Sequence, residues 1–139
     1  MSCSPGYRDF WKECLTSTEY SDNKKKYAKW ADKTQHIVFS KRLKDAQWHN
    51  TKIIAGNVVE EVKRLKNSNG GDIYVVGGAT MARTVIDADL VDEYRITVNP
   101  IVITKGKSIW SPLSKRHKLT PIGVKQIKTG AIIMKYKTA

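Results

Sequence analysis

The apolar positions of the chain change period partway along it. From Tyr7 to Leu15 they recur at helical spacing, with Tyr7, Phe10, Trp11, Cys14 and Leu15 on one face. Ser4-Pro5 precedes them, offering a capping hydroxyl and then a proline at the first helical position, where its missing N–H costs nothing. A polar break from Thr16 to Asn23 leads to a second helical segment, in which Tyr27, Ala28, Trp30 and Ala31 oppose Lys24-Lys25-Lys26. Both aromatic stripes read as core. At His36 the helical spacing stops. His36-Ile37-Val38-Phe39 predicts a strand running into a polar loop at Ser40-Lys41-Arg42, and Thr51-Lys52-Ile53-Ile54 a second strand, stopped by Gly56. Asn57, with Glu60 three positions on, has the pattern of a capping box, and Val59, Val62 and Leu65 line the buried side of the helix it opens. Asn67 to Gly71 closes that helix. Ile73-Tyr74-Val75-Val76 then predicts a strand buried on both faces of a parallel sheet, followed by Gly77-Gly78 and a helix from about Thr80 that turns Met81, Val85 and Ile86 inward.

Strands alternating with helices from His36 to Thr84 argue for an α/β protein with a parallel sheet and right-handed crossovers. The last third differs. Glu93 to Asn99 alternates, with Tyr94, Ile96 and Val98 on one face, and Pro100 and the apolar Ile101-Val102-Ile103 follow. Leu119 to Ile127 and Ala131 to Lys137 flank a hairpin turn at Thr129-Gly130, so antiparallel strands are expected to finish the sheet. No internal repeat, low-complexity tract or linker interrupts the 139 residues, which favours a single domain over residues 1–139.

Composition adds constraints rather than a different fold. At 40% hydrophobic and 27% charged residues the chain is in the ordinary globular range, without an apolar run long enough to suggest a membrane span. Met1 to Pro5 lacks the basic and then apolar segments of a secretory signal, so a cytoplasmic location is expected. Cys3 and Cys14 have neither cysteine nor histidine at metal-ligand spacing, no metal is expected, and Cys14 falls on the first apolar stripe as a small core residue. The net charge of +12 attracts polyanions. The cations are nevertheless scattered from Arg8 to Lys137, and neither zinc-finger spacing nor an RNA-recognition signature is present, so nucleic acid is the less favoured partner. A cofactor or substrate with several phosphates suits the same charge.

Two short segments carry candidate chemistry. A glycine pair between a buried strand and a helix permits close backbone approach, and the helix start adds free N–H groups and a positive dipole end, which together suit a pyrophosphate. Paired glycines also form plain turns, and the three-glycine dinucleotide fingerprint is absent. Ser40-Lys41-Arg42 is placed at the carboxyl end of a strand, the edge at which open α/β sheets bind ligands. A hydroxyl and two cations suit a phosphate monoester, the group that distinguishes NADP from NAD, although surface residues of a basic protein would look the same.

His36 to Leu43, Trp48-His49-Asn50-Thr51, Leu65-Lys66, Val75 to Thr80 and Leu90 to Arg95 come in the order and spacing of the dihydrofolate-reductase-like proteins. The chain resembles that family from roughly Tyr7 to Tyr136, and in particular the reductase domain of the bifunctional riboflavin-biosynthesis deaminase-reductase. The resemblance implies a dihydrofolate-reductase-like three-layer sandwich with a mostly parallel central sheet and antiparallel C-terminal strands. It also implies an oxidoreductase that transfers hydride from NADPH to a pteridine or pyrimidine ring, and assembly as a homodimer is expected. By position, Ser40, Lys41 and Arg42 would receive the adenosine 2′-phosphate. Gly56 and Asn57 would lie along the adenosine half, and Gly77, Gly78, Ala79, Thr80 and Met81 would hold the pyrophosphate. Asp92 and Glu93, which could be taken for an acid pair, begin a strand in this family and read as structural.

The chain departs from the family pattern in two places. Its late loop reads Thr104-Lys105-Gly106 where a further glycine is usual, with Trp110 in place of the common phenylalanine. Family members also begin with a few dozen further residues that supply the first central strand, a loop over the nicotinamide and much of the substrate pocket, and Gly6-Tyr7-Arg8 only faintly echoes the motif that follows them. A missing central strand would leave unpaired N–H and C=O groups, to be covered by more chain, a partner subunit or a rearranged sheet. No catalytic residue is therefore nominated. The competing expectation is an inactive or truncated family member serving as a basic polyanion-binding or interaction module.

Overall fold

A computed structural model of the chain describes residues 5–46, 48–76 and 78–139. The elements are α1 (Pro5–Thr16), α2 (Asp22–Lys33), β1 (His36–Phe39), β2 (Thr51–Ile54), α3 (Val58–Lys66), α4 (Ala79–Asp87), β3 (Glu93–Val98), β4 (Leu119–Gln126) and β5 (Ile132–Thr138). They fall into two compact units, one running to Asn57 and the other starting at Val58. Among the described residues no helix is long and apolar enough to cross a membrane.

In the first unit α1 packs on α2. The contact is made by small side chains: Cys14, Ala28 and Ala31 are each 0% exposed. Small residues let helix axes approach closely, and the rings beside them are pushed to the flanks. Phe10, Tyr27 and Trp30 accordingly stay 37%, 36% and 39% exposed, which corrects the expectation that the aromatic stripes are core. The rings cover one another instead, with centroids 4.5 Å apart for Trp11 and Tyr27 and 5.1 Å for Tyr27 and Trp30. β1 and β2 pair in parallel from His36 opposite Thr51 to Phe39 opposite Ile54. Val38 is buried in this pair, and Trp48 covers its start, stacking on His36 with ring centroids 4.2 Å apart. Their connection contains no helix among the described residues, in keeping with the loop expected after Phe39, and their pairing is parallel as expected for this region.

In the second unit α3 packs on α4, and β3, β5 and β4 form an antiparallel sheet in that order. The late strands thus make a sheet of their own rather than finishing the parallel one. Cross-strand partners put Tyr94, Ile96, Tyr136, Met134 and Val124 on one face, while the opposite face carries Glu93, Arg95, Lys135, Lys137 and Lys125. On the first face Tyr94 is buried and Ile96, Met134 and Tyr136 are half-buried, so it is packed over β3 and β5, whereas Val124 on β4 stays 71% exposed. Val85 and Ile86 of α4, Tyr94 of β3 and Ala131 beside β5 are buried in this unit. Lys66 anchors the end of α3 by reaching both carboxylate oxygens of Asp92 at 2.7 Å and the Leu90 carbonyl at 3.1 Å.

The strand expected at Ile73 to Val76 is not formed. These residues are 48%, 49%, 42% and 47% exposed and carry no ladder among the described residues. Apolar, β-branched sequence makes a segment fit for a buried strand, but a strand exists only where a neighbour satisfies its N–H and C=O groups. The hairpin at Thr129-Gly130 does form. Gly130 has φ +83°, Ile127 N–H donates to the Ala131 carbonyl at 2.9 Å, and β4 and β5 run antiparallel from it.

Candidate cofactor site

The parallel register brings the carboxyl ends of β1 and β2 to one edge, so Ser40-Lys41-Arg42 and Gly56-Asn57 leave the strand pair on the same side. The Ser40 N–H continues the ladder by donating to the Ile54 carbonyl at 3.1 Å. Its hydroxyl oxygen then accepts the backbone N–H groups of Arg42 at 3.2 Å and Leu43 at 3.0 Å. A serine oxygen has two lone pairs and one proton. With both lone pairs occupied, the group that Ser40 can offer a ligand is its O–H donor. The same hydrogen bonds curl the chain back at the strand end, where Ser40, Lys41, Arg42 and Leu43 line an open depression of about 460 Å³. Lys41 and Arg42 are exposed and make no ion pair or hydrogen bond from their side chains among the described residues. One hydroxyl donor and two free cations around a depression have the chemistry of a phosphate-monoester seat. Leu43 is the lining residue that the hydrophobic pattern did not reveal, because it enters only through the turn that Ser40 makes.

The second candidate segment lies in the other unit. Gly77 is outside the described residues, whereas Gly78 precedes α4 with φ −73° and ψ 164°, extended backbone open to any residue. Gly78, at the N-cap, offers no side-chain cap to this helix start. Ala79 is buried, Thr80 exposed and Met81 half-buried, so α4 begins with one side against its unit and the other toward solvent. The first N–H groups of a helix lack intrahelical partners, and an uncapped start leaves them for an anion. Gly56 and Asn57 are exposed; a Cβ on Gly56 would meet Ile54 Cγ2 at an ordinary 3.8 Å, so no steric demand there requires glycine.

Neither Asp92 nor Glu93 is placed as a free acid. Asp92 pairs with Lys66, and Arg95 Nε lies 2.7 Å from Glu93 Oε1, a contact that holds the Glu93 carboxyl below the ordinary carboxylate range. Among the described residues no cluster of three His, Cys, Asp or Glu side chains could hold a metal ion.

These features define a mixed α/β protein with a parallel strand pair, a separate antiparallel sheet and a cationic turn at a strand end. The family follows from sequence: the model of the RibD C-terminal domain matches residues 13–133, and the chain belongs to that family. It is similar to the uncharacterized protein YyaP of Bacillus subtilis (strain 168), 29% identical over 128 residues that span 92% of this chain and 68% of YyaP. It is also similar to the uncharacterized protein YwjB of the same organism, 36% identical over 63 residues, 45% of this chain and 36% of YwjB. Among solved structures, a protein named a putative riboflavin biosynthesis protein, from Shewanella sp. PV-4, shares the fold with a TM-score of 0.70 at 16% identity. That match covers 97% of this chain and 71% of the other.

Proposed function

We propose that the chain binds NADPH and belongs to a reductase that delivers hydride to a pteridine- or pyrimidine-type ring. The observation that carries this reading is the Ser40 turn, which leaves a hydroxyl proton, Lys41 and Arg42 around one depression in a chain of the RibD C-terminal domain family. Arg42 and Lys41 bind the adenosine 2′-phosphate through charge-assisted hydrogen bonds, and Ser40 donates the third. Gly56 and Asn57, on the same strand edge, flank the adenosine half. The uncapped start of α4, with Gly77 to Met81, takes the pyrophosphate. Once bound, the nicotinamide supplies the hydride, and the protein's part is to position it and keep water away.

Adenosine 2′,5′-bisphosphate and adenosine 5′-monophosphate, compared by calorimetry, test the turn directly. The bisphosphate should bind at least tenfold tighter, since a hydrogen bond to a charged group contributes about 1.5–3 kcal/mol. Equal affinities would refute the assignment of Ser40, Lys41 and Arg42.

A homodimer is part of the same proposal. Ile101, Val102 and Ile103 are 71%, 99% and 70% exposed, and an apolar run of this kind belongs in an interface. The net charge of +12 supports a second reading, a polyanion-binding module, which differs from the first in its salt dependence.

A further inference from the structure

The second unit contains a cavity of about 460 Å³ to which the cofactor reading gives no role. It lies at the far end of α4 from Gly78, beneath Ile86, and a helix of nine residues separates the two ends by roughly 13 Å at 1.5 Å per residue. Its walls are aromatic. Tyr94 and Trp110 face each other with ring centroids 6.2 Å apart and planes 39° inclined, and Tyr136 adds a third ring. Trp110 is 42% exposed although it lines an apolar space, so the ring is available to a guest.

The rim of this cavity is basic, and its charges are not equally free. Lys115 is held by Asp89, and the His117 ring, 10% exposed, has Nδ1 at 3.3 Å from Asp89 and Nε2 at 3.9 Å from Asp87. Asp87 already accepts the backbone N–H and hydroxyl of Ser114 at 2.9 Å each, and His117 Nε2 is buried without a hydrogen-bond partner. A buried polar atom left in that condition is usually met by water or a ligand. Arg116, exposed on the same rim, has no ion pair among the described residues.

We infer that this cavity is a binding site for a planar aromatic carboxylate, with its ring against the wall formed by Tyr94, Trp110 and Tyr136 and its carboxylate on Arg116. Three aromatic walls favour a flat ring over an aliphatic chain through stacked and edge-on contacts. The guanidinium fork matches a carboxylate with two parallel hydrogen bonds, which selects an acid over a neutral ring. The site shares no lining residue with the Ser40 turn or the start of α4, and its occupation does not require NADPH.

The test uses 2-naphthoate and its uncharged counterpart 2-naphthalenemethanol as probes, followed by NMR of the labelled full chain, with the Trp110 indole signal identified by its loss in Trp110→Phe. The naphthoate should move the Trp110 signal and bind at least tenfold tighter than the alcohol. Arg116→Gln, an exposed change that leaves the fold intact, should abolish that preference, and Arg116→Lys should keep part of it. Equal binding of acid and alcohol, a Trp110 signal unmoved at saturation, or unchanged selectivity in Arg116→Gln would each overturn the proposal.

Discussion

At the level of single residues, the Ser40 turn depends on one oxygen atom. Its hydroxyl accepts two N–H groups and in doing so fixes where Lys41 and Arg42 stand. Ser40→Ala should lower stability by about 0.5–1.5 kcal/mol in denaturant melts, the usual net value of such hydrogen bonds, and should weaken NADPH more than NADH. A substitution that left both unchanged would show that the turn forms without the hydroxyl. The tripeptide itself was legible, since a hydroxyl and two cations after an apolar run suggest a phosphate. Its curl was not legible, because it depends on which donors the serine oxygen meets. His36 gives a second test at this scale. Burial against Trp48 lowers its pKa from 6.5, so the unfolded chain takes up a proton that the folded one resists. The stability associated with neutral His36 is complete above pH 6.5 and is lost as the pH falls toward the lowered folded value. The Tm should therefore decline as the pH falls below about 6.5, and His36→Phe should flatten that decline while keeping the stack. The carboxyls of Asp87 and Asp89, whose pKa values lie below 3.8, lose their own contribution only at lower pH.

At the level of elements, local chemistry and pairing determine different things. The hairpin was legible because Gly130 stands where the backbone needs a positive φ, and there a Cβ would meet only Pro100 Cγ at an ordinary 3.5 Å. Gly130→Ala should therefore cost roughly 1–2 kcal/mol through backbone strain alone, measurable by thermal or urea unfolding. A cost near zero would mean that the turn adopts another conformation. The strand pair β1–β2 was equally legible in its bounds, since one short β-branched run ended at the polar Ser40 and the other just before Gly56. Ile73 to Val76 shows the limit of such reading: hydrophobicity specifies what a segment can become, and only a neighbouring strand decides that it does so. The aromatic faces of α1 and α2 teach the same lesson in helices. Spacing identified the inward side, but Cys14, Ala28 and Ala31 made the contact and left the rings at its margin.

At the level of the whole molecule, charge and exposed apolar surface make opposing demands. A net charge of +12 favours separation of copies, whereas the apolar run at Ile101 to Ile103 favours association. Light scattering should find a dimer, and Val102→Asp, at a side chain 99% exposed, should shift it to a monomer that keeps the circular-dichroism spectrum of the folded chain. A wild-type monomer would contradict the assembly proposed. The order of motifs from His36 to Arg95 was enough to indicate the family, because many modest signals in register are jointly specific. The partition of charge between cofactor and other polyanions was not, because it depends on which cations remain unpaired.

The most direct test is calorimetric titration of the full chain with NADPH and NADH at physiological salt, repeated with Arg42→Ala. The account predicts a preference for NADPH of at least tenfold in the wild type, reduced in the variant by weaker NADPH binding with NADH almost unchanged. Equal affinities for the two nucleotides in the wild type, or an undiminished preference in Arg42→Ala, would contradict it.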